Sequence, residues 1–305
     1  MPSVRNLEYL VAIADTLHFG RAAVACNVSQ PTLSHQLKTL EARLGVTLIE
    51  RSAIGVQLTP IGREVAERAR GVLVAVRDIR ALAQRAGDKL AGILRLGISP
   101  TIGPYLMPAI VAALHAEQPD LRLHIREGIP NEQARDLSRG ELDMLLTPLP
   151  MAGEDLTIEP LFREPMILVG PPSHHLVGRA EVDRRELMGA RFLTMDPRDH
   201  YHRMVEKICE DLDAVVLRDY EGTSLDSIRQ MVGSGIGIAV LPALYIRSEV
   251  GGEDMVRRIN VTGWSATRSI AAAWRTGAPY ADAYRQIASR ISAAATAIME
   301  GPGRQ

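Results

Sequence analysis

Residues 192–212 read FLTMDPRDHYHRMVEKICEDL and bring His200, His202 and Cys209 into one short stretch. Two imidazoles and a thiol can bind a metal, carry a redox switch, or hydrogen-bond a small molecule. A helical metal pair needs i, i+4 spacing, which 200, 202 and 209 do not give, and the chain has no Cys-rich cluster to complete four ligands. Redox chemistry needs a thiolate and a partner, yet the chain holds only Cys26 and Cys209, far apart in sequence. Cys209 alone reads as a core residue of a helix. His174 and His175, in PPSHHL, read as a surface turn. What remains for His200 and His202 is a place in a pocket wall, if the surrounding elements make a pocket.

The bulk properties are those of a soluble globular chain. Its 305 residues exceed one ordinary core and imply two or three domains. With 46% hydrophobic and 23% charged residues, the formal net charge is −1. Two distant cysteines argue for a reducing compartment. The N-terminus lacks a signal-peptide pattern and every apolar run is interrupted, so a cytoplasmic protein without membrane spans is expected. Charge is uneven: residues 1–90 sum to +4 and the remainder to −5. A basic head on an acidic body suits a polyanion-binding module joined to a ligand-binding one.

The head reads as a helix-turn-helix. Leu7, Leu10, Val11, Ile13 and Ala14 recur at helical spacing. Small residues Ala22, Ala23 and Cys26 then allow close helix approach, and NVSQ makes a turn with Val28 plugging the core. Ser29 is an N-cap and Pro31 sits in the first turn, where its missing N–H costs nothing. The helix that follows is expected to bury Leu33, Leu37, Leu40 and Leu44 and to expose Gln30, Thr32, Ser34, His35 and Lys38. Short polar side chains at a helix N-terminus reach base edges in a major groove, and Lys38 can meet phosphate. The alternative is a solvated face of a three-helix bundle.

The segment FGRAAVACNVSQPTLSHQLKTLEARLGVTLIERS, followed by LTPIG, resembles the winged helix-turn-helix of LysR-type transcriptional regulators, and the likeness extends to the C-terminus. The resemblance implies that Gln30, Pro31, Thr32, Ser34 and His35 belong to the recognition helix and that Arg51 opens the wing. It also implies double-stranded DNA carrying an interrupted inverted repeat as target, a dimer and tetramer as assembly, and a small-molecule effector. After Arg51 the wing supplies only Ile54 and Gly55 where family wings carry further basic residues. Fewer neutralised phosphates predict weaker and less salt-sensitive binding per monomer.

Residues 61–85 carry an apolar stripe, Val65, Ala69, Val72, Val76, Ile79 and Ala83, that needs a partner helix. AGDKLAG follows as a hinge. The expected division is a DNA-binding domain at 1–60, a dimerisation helix and hinge at 61–90, and an effector domain at 91–305. Beyond residue 91, short apolar strands alternate with helices, which predicts α/β sheets covered on both faces. Two such series imply two lobes, about 91–163 with 266–305 and about 164–265, with a ligand cleft between them. The class is thus α/β overall with an all-α winged head, and the body resembles periplasmic-type binding proteins.

GSGIGIAV (233–240) has glycines placed after a helix and before a strand, the reverse of a dinucleotide loop, so no cofactor is expected. Strand ends that meet helix N-termini mark the cleft: Ser99-Pro100-Thr101, the run from Arg198 to His202 with His200, and Thr223-Ser224. Thr147 and Gly128-Ile129 are further candidates. Hydroxyls, amides and an Arg favour a polar or anionic effector; helix capping is the structural alternative for each hydroxyl. Within the family, PTIGPYLMP, PLFREPMIL and TSLDSIRQMVGSGIGIAVLPAL resemble the peroxide-sensing members, whose reactive cysteine lies nine positions before a second one. Here the second matches Cys209 and the first position is His200. Imidazole cannot form a sulfenic acid, so the peroxide switch is expected to be absent. Two further readings remain: an oxidative-stress regulator using Cys209 in another way, and a metal-responsive one using His200 and His202. A solute-binding protein is disfavoured by the helix-turn-helix, and an enzyme by the lack of a nucleophile–base–orienter trio.

Overall fold

The computed structural model describes residues 2–52, 55–84, 92–151, 153, 155–250 and 255–301. The expected hinge at 86–92, save Gly92, and Ile54 and Arg85 lie outside the described residues. The chain divides into two compact units, Met1–Asp88 and Lys89–Gln305. Among the described residues, no helix is long and apolar enough to cross a membrane.

The first unit runs α1 (Val4–Thr16), α2 (Phe19–Ala25), α3 (Gln30–Leu44), the antiparallel hairpin β1 (Ile49–Ser52) and β2 (Gly55–Leu58), and α4 (Pro60–Gln84). Local capping sets these boundaries. Ser3 and Asn6 form a reciprocal capping box on α1, His18 caps α2, and Ser29 accepts from Thr32 N at the start of α3. Gly45, at φ 70°, ends α3 in the left-handed conformation that glycine adopts at least cost. Tyr9, Leu10, Ile13, Leu33, Leu37, Leu40 and Leu48 share one core. Leu44, expected in that core, is instead 37% exposed, because Gly45 turns the chain and Leu48 and Ile49 fill the space. Glu41 Oε1 accepts Leu48 N and Ile49 N at 2.8 and 3.1 Å, which ties the hairpin to α3. Thr59 Oγ1 caps α4 at Gly62 N (2.9 Å), and a Cβ on Gly62 would fall 2.0 Å from Leu48 O. The start of α4 buries Ala66 and Ala69, whereas Val72, Ile79 and Leu82 are exposed.

The second unit continues with β3 (Gly92–Ile98), α5 (Gly103–Glu117), β4 (Leu121–Glu127), α6 (Pro130–Ser138), β5 (Met144–Pro148) and β6 (Leu156–Gly170). A 3-10 turn (Arg184–Leu187), β7 (Arg191–Met195), α7 (His200–Leu212), β8 (Val215–Gly222), α8 (Leu225–Gly233) and β9 (Ala239–Pro242) follow. The chain closes with α9 (Ala243–Glu249), β10 (Arg257–Arg258), β11 (Thr267–Arg275) and α10 (Ala281–Glu300). Parallel β4-β3-β5 joins β11, which is antiparallel to β5 and β6. One core gathers Leu96, Ile98, Leu146, Ile270, Trp274 and Ile291 beneath α5 and α10. The other gathers Met166, Phe192, Tyr201, Cys209, Ile228 and Val240 around the parallel pair β7-β8.

β6 belongs to both. Its residues 156–165 pair with β11, and Met166–Val169 then pair with β9. Pro165 sits inside a 15-residue strand, at the point where the partner changes. The missing proline N–H is tolerated there because the ladder to β11 ends at Thr267. α9 and β10 were not evident from the sequence, since each is short and carries no periodic signal of its own.

Candidate nucleic-acid interface and effector site

The α3 N-terminus presents Ser29, Gln30, Pro31, Thr32, His35 and Lys38 to solvent, with Ser34 half-buried beside them. Leu33, Leu37 and Leu40 anchor the opposite face. Ser29 and Thr32 hydroxyls lie 2.7 Å apart, so both are partly engaged in the cap. Asn6 Nδ2 donates to Gln36 Oε1 at 3.0 Å and pins α3 against α1. Arg51 lies on β1 opposite Val56 in the hairpin. This arrangement offers a rigid helix whose exposed N-terminal turn carries short polar groups, the geometry of major-groove readout.

In the second unit the expected effector residues divide. Ser99 and Thr101 are buried at the end of β3, their hydroxyls 3.0 Å apart. Arg268, on β11, donates Nη1 to Thr101 Oγ1 at 2.7 Å and Nη2 to the Thr101 carbonyl at 2.8 Å. Its Nε donates to Glu164 Oε2 at 2.8 Å, and Glu164 Oε1 accepts Leu244 N at 2.8 Å. Glu164 and Arg268 are 0% and 4% exposed, direct cross-strand partners on β6 and β11. This buried node joins the β3–α5 loop, the strand shared by both lobes, and the start of α9.

Thr147 is fully buried at the end of β5, and among the described residues its hydroxyl makes one long 3.5 Å contact, with the Pro148 carbonyl. Gly128 follows β4, and a Cβ there would sit 3.2 Å from Gln133 Nε2. Ile129 caps α6 without a side-chain bond. His200 opens α7 and is 8% exposed, and its Nδ1 has no hydrogen-bond partner among the described residues. Burial foremost, then the Arg203 and Arg268 cations, push its pKa down, while Asp199 and the Leu149 backbone act the other way. Arg268 and Leu149 come from the β5–β11 side, so His200 is the point where α7 meets the other lobe.

Other expectations do not converge there. His202 Nδ1 contacts the Met195 carbonyl at 3.0 Å and its Nε2 pairs with Glu206 at 3.1 Å, so it braces its own lobe. Thr223 is exposed, and Ser224 caps α8 through Ser227 N, the structural alternative for that hydroxyl. Arg198 forks onto Asp196, Nη2 to Oδ2 at 2.8 Å, and holds that carboxyl down at about 2. His202 and Ser224 are thus engaged within their own lobe, whereas Thr101 is held by Arg268. The sequence did not single out Glu164 and Arg268, since β6 also carries Glu159 and Arg163 and β11 also carries Arg275.

Cys209 lies in the core and burial pushes its thiol up to about 12. Among the described residues, no group of three or more His, Cys, Asp or Glu side chains could hold a metal ion. A pH dependence follows from His200. Its folded pKa is lowered, so the unfolded chain binds the proton more tightly. The associated stability is fully present above the ordinary value of about 6.5 and is lost as the pH falls below it. His174 is lowered in the same direction, by burial and by His175. We expect His200→Leu to flatten the fall in melting temperature between pH 7 and 5; an unchanged slope would assign that fall to other groups.

Residues 4–63 match the family model described as bacterial regulatory helix-turn-helix protein, lysR family, and residues 87–295 match the LysR substrate binding domain. The chain is 35% identical over 291 residues to the DNA-binding transcriptional dual regulator OxyR of Escherichia coli K12, covering 95% of both. It is 33% identical over 291 residues to a probable hydrogen peroxide-inducible genes activator of Streptomyces viridosporus, covering 95% of this chain and 93% of that one. Among solved structures, a cysteine-to-aspartate variant of full-length OxyR from Pseudomonas aeruginosa superposes with a TM-score of 0.78 at 35% identity, covering 95% of both chains. A hydrogen-peroxide-bound cysteine variant of Corynebacterium glutamicum OxyR gives 0.65 at 29% identity, covering 98% of this chain and 96% of that one. With both matched segments and relatives alike over nearly their whole length, this chain belongs to the LysR family of DNA-binding transcriptional regulators.

Proposed function

We propose that this regulator responds to a small polar or anionic effector held between its two lobes, around Thr101, Thr147, Gly128-Ile129 and His200. The observation that carries the reading is the unpartnered, buried Nδ1 of His200 at the inter-lobe contact. A buried polar atom without a partner is costly, and an effector group bound there removes that cost. Thr147, with its single long contact, has hydroxyl capacity to spare. Thr101 is already bonded to both Ser99 and Arg268.

The DNA-binding domain of this proposal spans 1–60, the dimerisation helix and hinge 61–90, and the effector domain 91–305. Val72, Ile79 and Leu82 on α4, the second of them 65% exposed, suit pairing with a second copy of the helix. Two recognition helices so joined would read an interrupted inverted repeat, and a dimer of dimers would follow through the effector domains.

Several relatives bear the name hydrogen peroxide-inducible genes activator. Peroxide itself does not fit this chain by a two-cysteine route, because His200 stands where the resemblance places the reactive thiol and Cys209 is protonated and buried. Transcription from the operator, with and without peroxide, should be the same in wild type and Cys209→Ser. A peroxide response that disappears with the cysteine would overturn this reading in favour of an oxidative-stress regulator.

The effector is best found by a thermal-shift screen, since a ligand at 100 times its Kd raises stability by about 2.7 kcal/mol. Thr147→Val and His200→Leu should each then weaken the response by about 1–3 kcal/mol where a buried ligand group loses its partner, with basal DNA binding intact. If both variants respond like wild type, the effector sits elsewhere.

A further inference from the structure

A cavity of about 890 Å3 lies away from His200, and none of the expected effector residues lines it. Alternate residues of β6, Pro165, Ile167 and Val169, form one wall. Ile246 of α9, Val250 just after that helix and Val256 before β10 complete an apolar floor. Met299, near the end of α10, closes one edge, so the cavity touches both lobes and the strand between them.

The rim is cationic. Arg179, Arg247, Arg257 and Arg258 all line the cavity, and among the described lining residues there is no carboxylate. Arg179 is neutralised by Glu186. Arg247 reaches the Gly301 carbonyl, which satisfies a donor, and it has no ion-pair partner among the described residues. The Arg258 side chain is exposed and has no hydrogen-bond or ion-pair partner among the described residues. Gathering like charges around a low-dielectric wall raises the local potential and concentrates anions there. The guanidinium fork matches carboxylate and phosphate oxygens in particular. The volume falls within the range of small-molecule pockets, which run from about 300 to 1,000 Å3 and combine an apolar lining with a few placed polar groups.

We infer that this groove is a second ligand site, distinct from the inter-lobe cleft, for a small amphipathic anion: a carboxylate or phosphate ester carrying an apolar body. The head group meets Arg247 and Arg258, and the body lies on Ile167, Val169 and Ile246. Because the site spans β6 and the end of α10, its occupant favours whichever lobe arrangement brings those walls together, and so acts as a second input to the same switch.

The test uses the full-length protein with hexanoate, hexan-1-ol and acetate, followed by methyl NMR and calorimetry. Hexanoate should shift the methyls of Ile167, Val169 and Ile246 and leave Ile129 at the cleft unmoved. Hexan-1-ol lacks the head and acetate the body, so both should bind at least about tenfold more weakly. Arg258→Glu, an exposed change that leaves the core untouched, should weaken hexanoate by a similar factor of about ten, some 1.4 kcal/mol. Equal binding of hexan-1-ol, unchanged affinity in Arg258→Glu, shifts confined to the cleft, or no binding at all would each overturn the inference. Shifts confined to the cleft would support the cleft proposal; the other results leave it untouched, and it stands or falls with Thr147 and His200.

Discussion

Glu164→Leu is expected to destabilise the effector-binding unit by about 3–5 kcal/mol, because it strips a fully buried Arg of its counter-ion. Arg268 would keep its two bonds to Thr101 but carry an uncompensated charge at 4% exposure, and Leu244 N would lose its acceptor. For a unit of this size each kcal/mol moves the melting temperature by roughly 2–4 °C, so a fall of about 10 °C is expected by calorimetry. The double variant Glu164→Leu with Arg268→Leu should recover much of the loss, since replacing both charges removes the desolvation cost with the attraction. Wild-type stability in Glu164→Leu would mean that the pair is not the junction described here. A double variant no better than the single one would place the loss in packing rather than charge.

The second large effect concerns operator recognition. Gln30→Ala and Ser34→Ala should each reduce discrimination between operator and random DNA by about 1–3 kcal/mol, the value of one good base contact. The fold should survive both, because the α3 core face is Leu33, Leu37 and Leu40. Lys38→Ala should behave differently, weakening all sequences alike and lowering the salt slope by about one counter-ion. Binding measured at several salt concentrations on operator and scrambled duplexes separates the two classes. Unchanged operator preference in both Gln30→Ala and Ser34→Ala would remove the assignment of α3 as recognition helix.

Much of the head was legible because its signals are local. A side-chain oxygen three residues from an amide, as in Ser29 and Thr32, is set by the helix geometry itself and needs nothing from the rest of the chain. Gly45 and the leucine period of α3 are of the same kind, and the period misled only at Leu44, where the chain turns away. The alternation of strands and helices in the body was legible for the same reason. β6 was not, because a proline reads locally as a break, whereas here it marks the residue at which one sheet partner gives way to another.

The candidate cleft shows where local reading ends. Thr101, Thr147 and His200 could be proposed from strand ends and helix starts. The sequence by itself determined the family, the helix-turn-helix, the order of elements, and the presence of His200 nine residues before Cys209. Tertiary structure alone decided that His202 faces Met195 and Glu206, that Ser224 is consumed as a cap, and that Glu164 and Arg268 meet. Glu164 and Arg268 lie 104 residues apart. Their meeting depends on the β6–β11 register, in which a shift of one residue would turn each side chain to the opposite face of the sheet. Register between distant strands is set by the packing of a whole core, and no neighbour in the sequence records it.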